Sequence, residues 1–206
     1  MILSVAVVAH PARLGAAEKL AADLSAGLFV DEYGMGEWEN HARALAWAAE
    51  GPSSHVLVVQ DDAVPIPGFL RLAAEAVEQY PDGPIGFYVG RQRPIRRTVE
   101  RAVRTAEQQG ASWLEHRSLL WGVATSVPVA DIPLFLEWAR SSRLPYDERL
   151  GEWYRRRGVP VRYTWPSLVD HADGPSVITG RAARAPGRVA WRVGEPKWGG
   201  PVVPIR

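Results

Sequence analysis

The apolar run His55–Val59 ends in Gln60-Asp61-Asp62-Ala63, and this junction holds the densest potential chemistry of the chain. Two adjacent carboxylates after a hydrophobic strand repel one another unless a cation or a network of donors offsets the repulsion. Such a pair suits Mg²⁺ or Mn²⁺ held together with a diphosphate. It equally suits a solvated strand-to-turn junction, where aspartates are common. There is no cysteine. That excludes a disulfide framework, a thiolate metal site and a cysteine nucleophile, and leaves oxygen and imidazole as the metal ligands available. His10, Arg13 and Asp31 follow two other apolar runs, and a guanidinium so placed can contact a base or a phosphate. Asp147, with Glu148 beside it, opens a helical pattern. There it either takes a proton from a hydroxyl or caps the helix.

The elements that position these residues can be read from hydrophobic period. Ile2–Ala9, Gly27–Val30, His55–Gln60 and Pro84–Val89 read as strands, and Arg13–Leu24, Glu37–Glu50 and Gly68–Gln79 read as helices between them. This β-α-β-α-β-α-β order with short connections predicts an α/β fold with a mainly parallel sheet flanked by helices. In such a sheet ligands bind beyond the carboxyl ends of the strands, so His10, Asp31 and Asp61-Asp62 are expected on one rim. The second half is less regular. The arginine-rich stretch 91–110 lacks a clear apolar stripe and is expected as a polar helix or loop, with Arg91–Arg104 a mobile flap over the rim. Ser118–Ser126 reads as a strand, Asp131 as the cap of a helix running to Ser142, Pro145–Arg157 as a further helix and Val161–Tyr163 as a strand. From Gly174 onward glycine, proline and arginine dominate, which predicts an irregular tail. One domain over residues 1–178 and a tail over 179–206 are expected.

Composition sets the remaining bounds. The 206 residues, with 47% hydrophobic and 23% charged side chains, exclude wholesale disorder and suffice for a core. The start MILSVAVVAHPAR has no basic n-region, and no run approaches the ~20 residues of a membrane span, so a cytoplasmic protein is expected. The net charge of +1 argues for no particular partner. Its distribution says more, because residues 91–117 carry seven arginines against three glutamates and residues 181–206 six basic side chains against one acid. Both stretches could face an anion. Most of the nine tryptophans belong to a core, while Trp121 and Trp165 are expected near the rim as platforms for a sugar or base.

The order of these pieces resembles glycosyltransferases of the GT-A (Rossmann-like) fold, especially the group containing lipooligosaccharide and collagen galactosyltransferases (family 25) and small phage and bacterial relatives. Arg13 follows the first strand, Gly36-Glu37-Trp38-Glu39-Asn40-His41 opens the second helix, and VLVVQDDAVPIPGF spans 56–69 where that family has an apolar strand ending in Glu-Asp-Asp-Ala. Leu120-Trp121-Gly122-Val123-Ala124 is similar to the family's Gly-x-Ala strand. Tyr146-Asp147-Glu148-Arg149-Leu150 resembles its Pro-x-Asp-x-x-Leu segment, and PSLVDHADGPS (166–176) its late Pro-Ser-Leu-Val-x-His signature.

The resemblance implies a metal-dependent transfer of sugar from a nucleotide-diphosphate donor, with UDP the expected nucleotide. Asp62 and His171 would be ligands of Mn²⁺ or Mg²⁺. Gln60 stands where the family has an acid, leaving open whether Asp61 substitutes for it. His10, Arg13, Asp31, Asn40, Gln60, Asp61 and Trp121 would line the donor, and Asp147 and Glu148 would be catalytic. For Asn40 and His41 an ordinary helix-surface role competes, and for His171 a structural one. The acceptor would be a carbohydrate hydroxyl or a hydroxylated base in phage-type DNA. The alternative from another class is a non-catalytic nucleic-acid-binding protein using its arginines on phosphates, against which no standard DNA-reading motif is present.

Overall fold

Along the first and third strands successive apolar side chains belong to opposite cores, so both strands are buried on two faces. The computed structural model describes residues 2–91, 95–172 and 187–206. In chain order the elements are β1 (Leu3–Ala9), α1 (Leu14–Leu24), β2 (Gly27–Val30), α2 (Glu37–Ala49), β3 (His55–Gln60), β4 (Ala63–Pro65), α3 (Phe69–Gln79) and β5 (Ile85–Gly86). They continue with α4 (Arg96–Gln109), β6 (Trp113–His116), β7 (Ala124–Pro128), α5 (Ile132–Ala139), α6 (Tyr146–Arg156), β8 (Val161–Thr164), β9 (Val169–His171) and β10 (Val202–Pro204). Eight strands form one mostly parallel sheet in the order β10-β6-β8-β5-β7-β3-β1-β2, and β4 pairs with β9 in a separate ribbon. The sheet is flanked by helices in a single Rossmann-like α/β domain.

The two faces are filled by different helices. Ala6 and Val8 of β1 and Val56 and Val58 of β3 pack with Leu45 of α2, Phe135 of α5 and Leu150 of α6. Val7, Ala9, Leu57 and Val59 face the other way, onto Leu20 of α1 and Phe69, Leu72 and Val77 of α3. Each large aliphatic side chain so buried is worth about 1.5–3 kcal/mol, which fixes the strand register. In that register Val8 lies opposite Gln60 and Ala9 opposite Val30. The ladder then continues from Asp61 N–H to Val8 O (3.1 Å) and from Asp31 N–H to Ala9 O (3.0 Å). His10, Asp31 and Asp61 thus emerge together, as the rim rule predicts.

The second half departs from expectation in four places. Arg96–Gln109 is a packed amphipathic helix, not a flap, because Val99, Ala102, Val103 and Ala106 recur at i, i+3, i+4, i+7 and are all buried. Small side chains between long arginines disguised that stripe. Val103→Asp should therefore destabilise the protein by more than about 3 kcal/mol, read from urea unfolding, because it buries an unpaired charge. The strand expected over 118–126 is displaced to Ala124–Pro128, and β6 precedes it. Asp131 makes no side-chain cap; it accepts the Tyr154 hydroxyl at 2.8 Å and lies 3.6 Å from Arg157. The tail is not irregular to its end, since β10 adds a parallel edge strand to β6. Arg93, residues 173–176 of the PSLVDHADGPS segment and the expected boundary at 178 lie outside the described residues. Among the described residues, no helix is long and apolar enough to cross a membrane.

Candidate active site

A short ribbon joins the two halves of the chain at the rim. In the antiparallel pairing of β4 with β9, Ala63 lies opposite His171, and Ala172 N–H donates to Asp62 O at 2.8 Å. Asp62 and His171, distant in sequence, are thereby brought side by side, with 8% and 3% of their surfaces exposed. Asp62 Oδ2 lies 3.2 Å from His171 Nε2. His171 Nδ1 lies 2.7 Å from Ala172 O. A carbonyl can only accept, so Nδ1 carries the proton and Nε2 is the nitrogen turned toward the carboxylate. Among the described residues Nε2 makes no well-directed hydrogen bond, and Asp62 Oδ1, equally buried, has no hydrogen-bond partner. Buried polar atoms left this way are costly unless a proton or cation joins them. Burial pushes the Asp62 carboxyl up, but the contacts with His171 and Arg13 outweigh it and hold the group below the usual carboxylate range.

Asp61 and Asp62 do different work. Arg13 Nη1 bridges Asp61 Oδ1 at 2.9 Å and Asp62 Oδ2 at 2.5 Å. The other oxygen of Asp61 accepts His10 N–H at 2.8 Å. Asp61 thus has both oxygens engaged in holding the His10–Arg13 segment. His10 Nδ1 accepts from Ala12 N–H at 3.1 Å, which caps the short 3₁₀ turn carrying Arg13. Asp31 accepts the backbone N–H groups of Met35 and Gly36 at 2.7 and 2.8 Å and fixes the loop into α2. Asn40 is buried and donates to Phe29 O at 2.7 Å and Ala9 O at 3.4 Å, so it clamps the ends of β1 and β2 together.

The far wall comes from β7 and α6. Gln60 N–H donates to Val123 O at 2.9 Å. A Cβ placed on Gly122 would lie 3.4 Å from Asp147 Cβ and 3.5 Å from Gln60 Nε2, so these side chains flank the same glycine. Asp147 is half-buried in the first turn of α6 and accepts Glu148 N–H at 2.9 Å, while Glu148 is exposed. The residue at the cap position is Pro145, not Asp147. Two carboxylates in this first turn do oppose the positive end of the helix macrodipole. Trp121 is half-buried, edge-on to Tyr88 (6.0 Å) and Tyr163 (5.5 Å), and Tyr88 lies 6.1 Å from His171. Gly90 permits this packing, because a Cβ there would stand 2.7 Å from Tyr88 and 3.0 Å from Trp121 Nε1. Trp165, expected at the rim, is instead buried in the core.

His41 is structural. Its ring stacks on Tyr146 at 3.9 Å, Nδ1 donates to Glu37 O at 2.7 Å, and burial lowers its pKa to about 4, with the Glu37 bond opposing the shift. The unfolded chain therefore binds this proton more readily than the folded one. Stability should be full above pH 6.5 and fall by up to about 3 kcal/mol as the pH drops from 6.5 to 4. His41→Phe, which keeps a ring on Tyr146 but cannot be protonated, should flatten that part of the profile in urea titrations from pH 7 to 4.

Sequence reasoning missed Tyr88 and Asp170. Asp170 Oδ1 accepts both His171 N–H (2.8 Å) and Ala190 N–H (2.7 Å), which ties the C-terminal segment to the histidine's strand. Its place beside His171 was the only signal. Among the described residues no three His, Asp or Glu side chains converge as a ready-made metal cage. Asp62 and His171 could supply two ligands of an ion completed by other groups.

No protein-family model matches the chain, and no curated protein matches it. Among solved structures it is similar to A197 from STIV, with 12% identity, 82% of this chain and 85% of that chain covered, and a TM-score of 0.48. It is also similar to a glycosyltransferase involved in the glycosylation of the major capsid of PBCV-1, with 11% identity, 84% of this chain and 94% of that chain covered, and a TM-score of 0.40.

Proposed function

We propose that this rim binds a nucleotide-diphosphate sugar, with UDP the expected nucleotide, and transfers the sugar to an acceptor hydroxyl. The observation that carries the reading is the buried Asp62–His171 pair: among the described residues Asp62 Oδ1 has no hydrogen-bond partner, and His171 Nε2 meets only the carboxylate, at 3.2 Å. The family-25 resemblance assigns the same two residues to a divalent cation. Their chemistry fits one: a carboxylate oxygen and an imidazole nitrogen whose other ring nitrogen is fixed by a backbone carbonyl. Mg²⁺ or Mn²⁺ keeps several non-protein ligands, so two side chains with diphosphate and water suffice. Bound there, the ion would neutralise charge developing on the departing nucleoside diphosphate.

The chain's own residues divide the remaining tasks. Arg13 stands where a guanidinium can meet phosphate. Asp31 orders the loop after β2, Asn40 and Gln60 set the strand ends, and Trp121 offers a fixed aromatic face to a sugar or base. Asp147 takes the proton of the attacking acceptor hydroxyl. Glu148, being exposed, is assigned to the acceptor side. Two acceptor classes remain, a carbohydrate and a hydroxylated DNA base. For the second, α4 exposes Arg97, Arg101 and Arg104 around an open depression of about 480 Å³ that shares no lining residue with the Asp62 cluster. The test is a UDP-sugar hydrolysis and transfer assay with Mn²⁺ against EDTA. Metal-dependent release of UDP supports an enzyme, and DNA binding without it supports a non-catalytic binder.

A further inference from the structure

We propose that Arg13 is an exchangeable internal cation: it holds Asp62 in the metal-free protein, yields that carboxylate to a divalent ion, and turns to the donor's diphosphate. This rests on the reading of Asp62 and His171 as metal ligands and adds to it an order of binding. Oδ2 of Asp62 receives Arg13 Nη1 at 2.5 Å and lies 3.2 Å from His171 Nε2. An ion on that same oxygen and on His171 Nε2, at ordinary ligand distances near 2.1 Å, would therefore stand within about 5 Å of the guanidinium. In a site this buried such like charges repel strongly. Asp61 offers Arg13 a second hold, because its Oδ1 accepts the same Nη1 at 2.9 Å while its Oδ2 stays fixed by His10 N–H at 2.8 Å.

Arg13 can thus leave Asp62 without leaving the rim. Released from Asp62, the Nη1 group can turn to a diphosphate oxygen, a contact for which a guanidinium is well suited. The site exchanges the Arg13–Asp62 contact for an ion–carboxylate contact and a guanidinium–phosphate contact, and metal and nucleotide bind cooperatively as a result.

Removal of Arg13 should therefore move two affinities in opposite directions. Mn²⁺ alone, followed by the electron-spin-resonance signal of the free ion, should bind Arg13→Gln about 10-fold more tightly than wild type, since a competing positive charge is gone. UDP, titrated calorimetrically at saturating Mn²⁺, should bind the same variant about 10-fold or more weakly, since a phosphate contact is gone. Arg13→Lys keeps one cation on a shorter side chain, whose ammonium reaches the two carboxylates less closely. It should gain a few-fold in Mn²⁺ affinity, and it serves if Arg13→Gln does not fold. Unchanged or weaker Mn²⁺ binding in both variants, with wild type binding the ion, overturns the exchange and leaves the metal site standing. If wild type and variants all fail to bind Mn²⁺, with or without UDP, the exchange and the metal reading fall together.

Discussion

Asp147→Asn should lower sugar transfer by roughly 10²–10⁴-fold while leaving UDP affinity at saturating Mn²⁺ within about two-fold of wild type. The side chain is half-buried and flanks Gly122 together with Gln60; in the proposed reaction it acts on the acceptor hydroxyl and not on the donor's phosphates. Asparagine has nearly the same volume, and its amide oxygen can still accept Glu148 N–H, the 2.9 Å contact of Asp147. The cap of α6 is Pro145, so no cap is lost. What asparagine cannot do is take a proton from a hydroxyl. Initial rates of transfer, paired with donor titrations, check this. A variant with near-normal rate and stability would make Asp147 a helix-end residue only.

Asp62→Ala should abolish metal-supported nucleotide binding in a protein that still folds. Partners outside the first coordination sphere typically cost 10–100-fold in metal affinity, so loss of a direct ligand should cost at least about 10²-fold. The fold should survive because the β4–β9 ribbon is held by backbone pairing, including Ala172 N–H to Asp62 O at 2.8 Å, which alanine keeps. Calorimetric titration of UDP with Mn²⁺, alongside circular dichroism, reads both parts. Unchanged affinity would remove Asp62 from the metal site.

The longer elements of the first ninety residues were legible because each has a strong period, whereas β4, with three residues, went unseen and β5 has two residues where Pro84–Val89 was expected. β1 and β3 are continuous apolar runs, and the helices between them carry apolar residues on one side. Their registry alone brings His10, Asp31 and Asp61 to one rim. Beyond residue 90 the strands shorten to three to five residues, too few to show a period, and β6, β9 and β10 went unseen or blurred. Helix α4 hid behind its arginines, since its buried stripe is alanine and valine only. The adjacency of Asp62 and His171 depends on a three-residue ribbon, so a family resemblance could suggest it but spacing could not. The division of labour between neighbouring aspartates was equally invisible. Asp61 is spent on Arg13 and His10 N–H, whereas one oxygen of Asp62 has no hydrogen-bond partner among the described residues.

The most direct test is a crystal structure of the protein soaked with UDP and Mn²⁺. The expected result is an ion within about 2.0–2.3 Å of an Asp62 oxygen and of His171 Nε2, with the diphosphate completing its shell and Asp147 beside the open side of the site. An ion more than about 5 Å from the His171 ring, or a nucleotide bound away from Asp62 on the arginine face of α4, would contradict it.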